Sequence, residues 1–534
     1  MTMTMRRWLR FCVLAWLLGA ASAHALTADG ALTLASGSGD ERIEVLNRLA
    51  AEDDARALAL IDALGKDAVK YQGDQVLIIG ADGSAIDAVT GVAAEVSAEA
   101  EDATINNRMR AALATARAAH DLFDPDATRQ SAAAEVLLRG VVEDADVSAL
   151  PLLDKALARP ALVSAARGKL MQARSIVQLF DDDDGARLAA ARALIEGAPP
   201  SLRPVLAERL EAEANPVIKK ALTDALSALD RAAALAGGLS QAFTGVSLGS
   251  ILLLAALGLA ITYGLMGVIN MAHGELIMIG AYATWMVQVL FRQHLPGWFD
   301  WYLLAAVPVA FAVSALVGAA MERSVIRFLY GRPLETLLAT WGISLVLMQG
   351  VRSLFGAQNV GVENPSWMSG NMGFMNGLVT LPWNRVIIIA FAAAVLLGVV
   401  LLIHRTRLGL FVRGVTQNRP VASCMGVNTS RIDTYAFALG SGIAGLAGCA
   451  LSQVGNVGPD LGQGYIVDSF MVVVLGGVGQ IAGTVYAALG LGMVNKFLEG
   501  WAGAVLAKIT VLVFIIVFIQ KRPQGIFAMK GREA

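Results

Sequence analysis

The sequence predicts an all-α chain in two parts: a helical N-terminal domain outside the membrane, followed by a polytopic α-helical membrane domain. Three observations carry that expectation. The 534 residues are 56% hydrophobic and only 16% charged, whereas soluble chains are nearer a quarter charged, which argues against an ordinary cytosolic enzyme. The charge is also unevenly divided. Residues 1–239 hold 34 acids and 25 bases, a net −9, while residues 240–534 hold 10 acids and 17 bases, a net +7. Finally, only the second part carries repeated apolar stretches long enough for a bilayer. Neither part has the basic surface of a nucleic-acid partner.

Residues 1–25 read as a secretory leader. Arg6, Arg7 and Arg10 give the positive start and Phe11 to Leu18 a short apolar core, with cleavage after Ala23 or Ala25. The apolar run is shorter than the roughly 20 residues a span needs. Residues 26–239 are Ala-rich and helix-favouring, with apolar residues at helical spacing in Ile43-Val45-Leu46-Leu49 and Leu58-Leu60-Ile61-Leu64. One strand signal interrupts them. Val76 to Ile79, an Asp82-Gly83 turn, then Ile86 and Val89 predict a small hairpin within 69–92.

From residue 124 a loose repeat appears. Asp124-Pro125-Asp126, Asp181 to Asp184, and Asn215-Pro216 each precede a helical run with a basic residue and small apolar side chains. This pattern resembles HEAT-type helical hairpins, which must stack because one hairpin cannot bury its apolar face alone. Asp181 to Asp184 could suggest calcium, but no EF-hand spacing follows, and carboxylates capping a helix explain them. Of the three cysteines, Cys12 lies in the leader and Cys424 and Cys449 in the apolar part. No disulfide framework therefore supports 26–239, and neither a metal nor a cofactor is expected.

Spans are expected near 246–267, 270–291, 301–321, 334–354, 385–404, 433–455, 467–483, 484–499 and 503–520. The interruptions at Gly476-Gly477, Gly479 and Gly483 leave open whether the middle pair of the last four crosses fully or forms a re-entrant hairpin, so eight or nine segments are expected. Three basic stretches, Arg323 to Arg332, Arg405 to Arg431, and the tail with Lys521, Arg522, Lys530 and Arg532, belong on the cytoplasmic side. Residues 356–384, whose one charge is Glu363, belong outside. Counting back from Arg323 through three spans puts residue 240 outside, where a leader would send the N-terminal domain.

Three clusters stand out. Asn270, His273 and Glu275 lie between the first two spans. They are either a wetted turn in which Asn270 caps the next helix, or polar groups lining a pathway, since ionisable groups at membrane depth are costly. Arg413, Gly414, Gln417, Asn418 and Arg419 run into Pro420-Val421-Ala422 and Met425-Gly426. Pro420 suits a first helical turn and Gly426 a stop, so a short amphipathic helix able to dock into a partner's groove is expected. Ser441, Gly445 and Gly448 place small residues on one face, which lets membrane helices approach closely. No G-x-x-x-x-G-K-[ST] occurs, so the chain is not expected to hydrolyse ATP and is not read as an enzyme.

These clusters resemble the permeases of the branched-chain amino acid ABC importer family, over roughly 240–530. Within it, Gln453 to Gln463, Leu354 to Asn359, and Gln520 to Gly525 look like the urea-transporter permease. The resemblance implies a bacterial inner-membrane importer subunit working with a second homologous permease, two ATP-binding subunits and a periplasmic solute-binding protein. Urea or a related small amide is then the expected solute, an amino acid the alternative, and a secondary transporter or channel a further one. Asn270, His273, Glu275, Ser344, Gln349 and Gln453 are candidates for the path, and Arg413 to Gly426 for the ATPase-coupling loop.

Overall fold

In the computed structural model, residues 26–527 are described, apart from 52–53, 81–82, 98, 123–125, 144–148, 161, 375–377 and 523. The expected leader, the Asp82 corner of the hairpin, Asp124-Pro125, Pro523, Lys530 and Arg532 therefore lie outside the described residues. The chain divides into two compact units, Met1–Ala233 and Ala234–Ala534.

The first unit opens with α1 (Ala28–Ser36), α2 (Gly39–Ala51) and α3 (Ala55–Leu64). Thr27 and Asp54 cap α1 and α3, their side chains accepting from the Gly30 and Arg56 N–H groups. Next comes a sheet of β1 (Val69–Gln72), β2 (Gln75–Ile79), β3 (Ala85–Asp87), β4 (Ala93–Ala94) and β5 (Glu101–Asp102). Its order is β4-β3-β2-β1-β5, with every pairing antiparallel. The all-α expectation is corrected here, because the predicted hairpin is the centre of a five-stranded sheet. The outer strands are two residues long and made of Ala, Glu and Asp, which carry no strand pattern.

The rest of the unit is helical: α4 (Asn107–Asp121), α5 (Ala127–Glu143), α6 (Leu150–Leu157), α7 (Ser164–Gln178), α8 (Asp184–Ala193) and α9 (Arg203–Ala212). One apolar cluster, from Ala118 through Leu137, Leu170 and Leu206 to Leu229, runs through them. Asp183 caps α8 by accepting from Ala186 N at 2.9 Å, and Asn215 accepts from Val217 N at 3.0 Å.

Behind these caps lies a buried ionic group. Glu213, 3% exposed, accepts from Arg187 Nε at 3.1 Å and Arg209 at 3.0 Å, and from the Ala214 and Asn215 N–H groups at 3.0 and 3.1 Å. Burial works to raise its pKa, but the Asn215 N–H and the two guanidinium groups outweigh it and hold the carboxyl below the ordinary 4.5.

α10 (Pro216–Met266) crosses the boundary between units. The second unit continues with α11 (His273–His294), α12 (Tyr302–Ser324), α13 (Pro333–Phe355), α14 (Trp383–Arg405), α15 (Arg407–Gln417), α16 (Arg419–Cys424), α17 (Thr429–Ser452), α18 (Leu461–Gly476), α19 (Ile481–Ala502) and α20 (Ala504–Lys521). Among the described residues eight helices are long and apolar enough to cross a membrane; α18, with 16 residues, is shorter. The expected segments 467–483 and 484–499 are thus redrawn. The break falls at 477–480, where Gly477 and Gly479 take φ of 98° and 79°. Between α13 and α14, β6 (Asn371–Phe374) pairs with β7 (Val379–Pro382), a hairpin the sequence reading did not anticipate.

α17 is the centre of this unit, buried at every residue from Gly440 to Ser452. Its Gly445 lies against Ala310 and Ser314 of α12, and Gly448 against Ile277 and Ala281 of α11. Helices approach this closely only where no side chain intervenes.

Two outcomes are expected. Gly445→Leu, whose Cβ would stand 2.5 Å from the Ala310 carbonyl oxygen, should cost roughly 3 kcal/mol and lower the unfolding temperature in detergent. Gly464→Ala, which meets nothing within 4 Å, should leave it unchanged. In the first unit, a depressed carboxyl pKa stabilises the fold above pH 4.5 and loses that effect as pH falls through its folded value. Limited proteolysis of 181–215 should therefore accelerate below that pH, and Glu213→Gln should reproduce the acceleration at neutral pH, by about tenfold or more.

Candidate functional site

α10 ends at Met266, and Gly267, at φ 66°, turns the chain back on itself. Residues 267–272 return alongside α10, so α11 begins deep in the unit. His273 Nε2 lies 2.9 Å from the Ala255 carbonyl oxygen, about three turns before the end of α10. A carbonyl only accepts, so Nε2 carries the proton and Nδ1 an unshared lone pair with no partner among the described residues. Asn270 is 1% exposed; its Oδ1 accepts from Ala272 N at 3.1 Å and its Nδ2 has no partner among the described residues. Glu275 is buried with the Ser344 hydroxyl beside it, and no cationic side chain pairs with it among the described residues. The wetted-turn reading is corrected: the polar groups sit inside the helical packing.

A second broken segment meets the first. After α17 the chain returns through 453–460, pinned where the Val360 and Val457 backbones exchange two hydrogen bonds of 2.8 Å, and α18 then starts at Leu461. Gly274 and Gly462, in the first turns of α11 and α18, are in backbone contact; a Cβ at Gly274 would stand 2.5 Å from the Gly462 carbonyl oxygen. Two helix N-termini, each with first-turn N–H groups lacking intrahelical acceptors and a positive dipole end, therefore lie side by side. Around them are amide donors, the His273 lone pair and one carboxylate. Such a set can hold a small solute bearing both donors and acceptors, and interrupted helices at membrane depth persist only where protein or a polar path surrounds them.

Of the six path candidates the structure gathers Asn270, His273, Glu275 and Ser344. Gln349 is exposed on α13, off the buried face formed by Thr336, Thr340 and Ser344. Gln453 is also elsewhere, accepting from the Tyr302 hydroxyl at 3.2 Å and donating to Ser452 at 3.1 Å. Thr340, which accepts from Met271 N at 3.1 Å and so holds the return segment, was missed. Its signal was the Thr336-Thr340-Ser344 spacing on one helical face.

The basic loop folds as two helices. Thr406 caps α15, and Asn418 caps α16 by accepting from Val421 N at 3.1 Å. Ala422 is buried against Val412, Val415, Ile432 and Ala436, while Val421 and Met425 stay exposed, at 55% and 79%. Gly426, at φ 83°, ends the element. Arg413, Gly414, Gln417 and Asn418 are exposed, whereas Arg419 turns its guanidinium onto the Asp433 carboxylate.

The family model for the branched-chain amino acid transport system, permease component, matches residues 241–520. The high-affinity branched-chain amino acid transport system permease protein LivH of Escherichia coli K12 is 30% identical over 295 residues, covering 54% of this chain and 94% of that protein. The corresponding permease BraD of Pseudomonas aeruginosa is 29% identical over 294 residues, covering 54% and 95%. The ribose import permease protein of Escherichia coli K12 is 28% identical over 208 residues, covering 37% and 61%. No solved structure matches significantly. With a family model spanning more than half of its length, the chain belongs to the branched-chain amino acid transport permeases.

Proposed function

We propose that this chain is one permease subunit of an ABC importer that carries a small polar solute, a branched-chain or related amino acid, into the bacterial cytoplasm. The observation that carries this reading is the meeting of α11 and α18 at Gly274 and Gly462, with Asn270, His273 and Glu275 buried beside it. An amino acid brings a carboxylate and an ammonium. Helix N-termini favour the former and Glu275 the latter. Two of the named relatives, LivH and BraD, are branched-chain amino acid permeases, which supports the same class.

A second reading keeps urea or a related amide as the solute. It is favoured by the likeness of Gln453 to Gln463 and Leu354 to Asn359 to urea permeases, and by the single charge at the site, which an uncharged solute would not need to balance.

In either case two separate ATP-binding subunits supply the energy, a second homologous permease completes the path, and a periplasmic binding protein delivers the solute. The basic connections support a cytoplasmic position for α15 and α16, where exposed Val421 and Met425 would dock into an ATPase groove. The same reading takes the first unit, whose helices resemble HEAT hairpins, to be periplasmic and a docking surface for the binding protein.

Vesicles holding the complete importer should take up labelled leucine with ATP inside, and unlabelled urea in excess should not compete. Uptake of urea alone would instead select the second reading. Glu275→Gln should lower uptake at least tenfold without changing assembly. Replacing Arg413 and Gly414 by Glu, at positions open to solvent, should abolish ATPase association in a pull-down. Uptake that survives that change and collapses with the proton gradient would point to a secondary transporter.

A further inference from the structure

Away from the deep site, two acidic and basic pairs converge where α12 ends and α17 begins. Glu322, in the last turn of α12, is wholly buried. It accepts from the Thr434 hydroxyl of α17 at 2.6 Å and from the Tyr330 hydroxyl at 3.1 Å, and Arg327 stands 3.6 Å away. Asp433, the neighbour of Thr434 and with a side chain 4% exposed, is held by Arg419. The Arg419 guanidinium also lies over the Tyr330 ring, 5.2 Å from its centroid. Arg419 is the first residue of α16. A continuous polar chain therefore runs from α16 through Arg419 to Asp433 and Thr434 on α17, and through Tyr330 to Glu322 on α12.

Two physical features make this chain stiff. A buried carboxylate that loses its partner is strongly penalised, so Asp433 cannot simply release Arg419 and stay where it is. The planar guanidinium is gripped on two sides, by a carboxylate at its edge and an aromatic ring at its face, which fixes its orientation. A displacement of α16 must then either drag the ends of α12 and α17 with it or leave a buried charge unpaired. Further along, α17 touches the deep site: a Cβ at Gly258 would meet the Gly440 carbonyl oxygen of α17 and His273 Cε1 together. Motion of α17 along its axis is thus felt beside His273.

We propose that the Glu322–Tyr330–Arg419–Asp433–Thr434 cluster is the latch through which movement of the docking helix α16 is passed to α12 and α17, with Asp433 and Tyr330 as positioning residues. The inference rests on the reading that α16 docks on the ATPase subunits, and it adds where the force goes. A cluster serving only to hold the fold would affect assembly and every activity alike. A latch instead affects the number of solute molecules moved per ATP hydrolysed.

The test uses the complete importer in vesicles, comparing the unaltered chain with Asp433→Asn, Tyr330→Phe and the exchange Arg419→Asp with Asp433→Arg. ATPase association, ATP hydrolysis and uptake of the transported solute are measured on the same preparation. Asp433→Asn is expected to keep the ATPases bound and hydrolysing while uptake per ATP falls at least tenfold. Tyr330→Phe should give a smaller loss of the same kind, and the exchange should recover most of the ratio. An unchanged uptake-to-ATP ratio in folded Asp433→Asn overturns the latch. So does loss of ATPase association in parallel with uptake in all three variants, which would make the cluster only a fold element. The docking reading fails separately, if the Arg413 and Gly414 replacements leave the ATPases attached.

Discussion

The glycine face of α17 sets the spacing of the membrane unit. Within an apolar bundle no hydrophobic force draws one helix to another, so close backbone approach and interhelical polar contacts must supply the packing energy. Gly445 and Gly448 provide that approach on two sides at once, admitting α12 against one and α11 against the other. With these three helices held at backbone distance, the remaining apolar helices can present large side chains outward. Leu316, Leu338, Val346 and Val505 are all exposed.

The same closeness explains how a polar cluster can sit where none would be expected. α11 starts late because Gly267 reverses the chain, and α18 starts late because the segment after Gln453 returns into the bundle before becoming helical. The backbone groups released by these interruptions are met locally, by Thr340 on the 269–271 stretch and by the paired strands at Val360 and Val457. Among the described residues several buried side-chain atoms of this unit have no protein partner, and two of them, Asn270 Nδ2 and His273 Nδ1, lie at the junction. Each buried polar group without a partner calls for an explanation, and here two of them stand with Glu275 where two helix N-termini meet.

Most buried acids of both units follow one logic, from which Glu275 departs. Glu322 and Asp433 are buried but saturated by hydroxyls and guanidinium groups from different helices, so they tie elements together; Glu275 has one hydroxyl beside it and no cation. In the first unit Glu213 plays the tying role, joining α8, α9 and the start of α10 through Arg187, Arg209 and two backbone N–H groups.

Much of this was determined by the sequence alone. The divided charge, the apolar runs, the caps at Asp183 and Asn215, the start at Pro420, the stop at Gly426 and the small face of α17 are local patterns, readable from periodicity and residue type. Family membership followed from motifs of the same local kind. The two-residue strands of the first unit were not legible, because Ala, Glu and Asp carry no strand preference; nor was the hairpin at 371–382, whose Gly373 and Pro382 interrupt the pattern that Phe374, Val379 and Thr380 begin. The depth of Asn270, His273 and Glu275 depended on a reversal at one glycine whose direction sequence does not encode. Ser344 beside Glu275, Thr340 on Met271 and Thr434 on Glu322 join residues 69 to 112 positions apart. Only the tertiary fold decides such meetings, since a buried polar group is placed by what it can bond to in space and not by its neighbours along the chain.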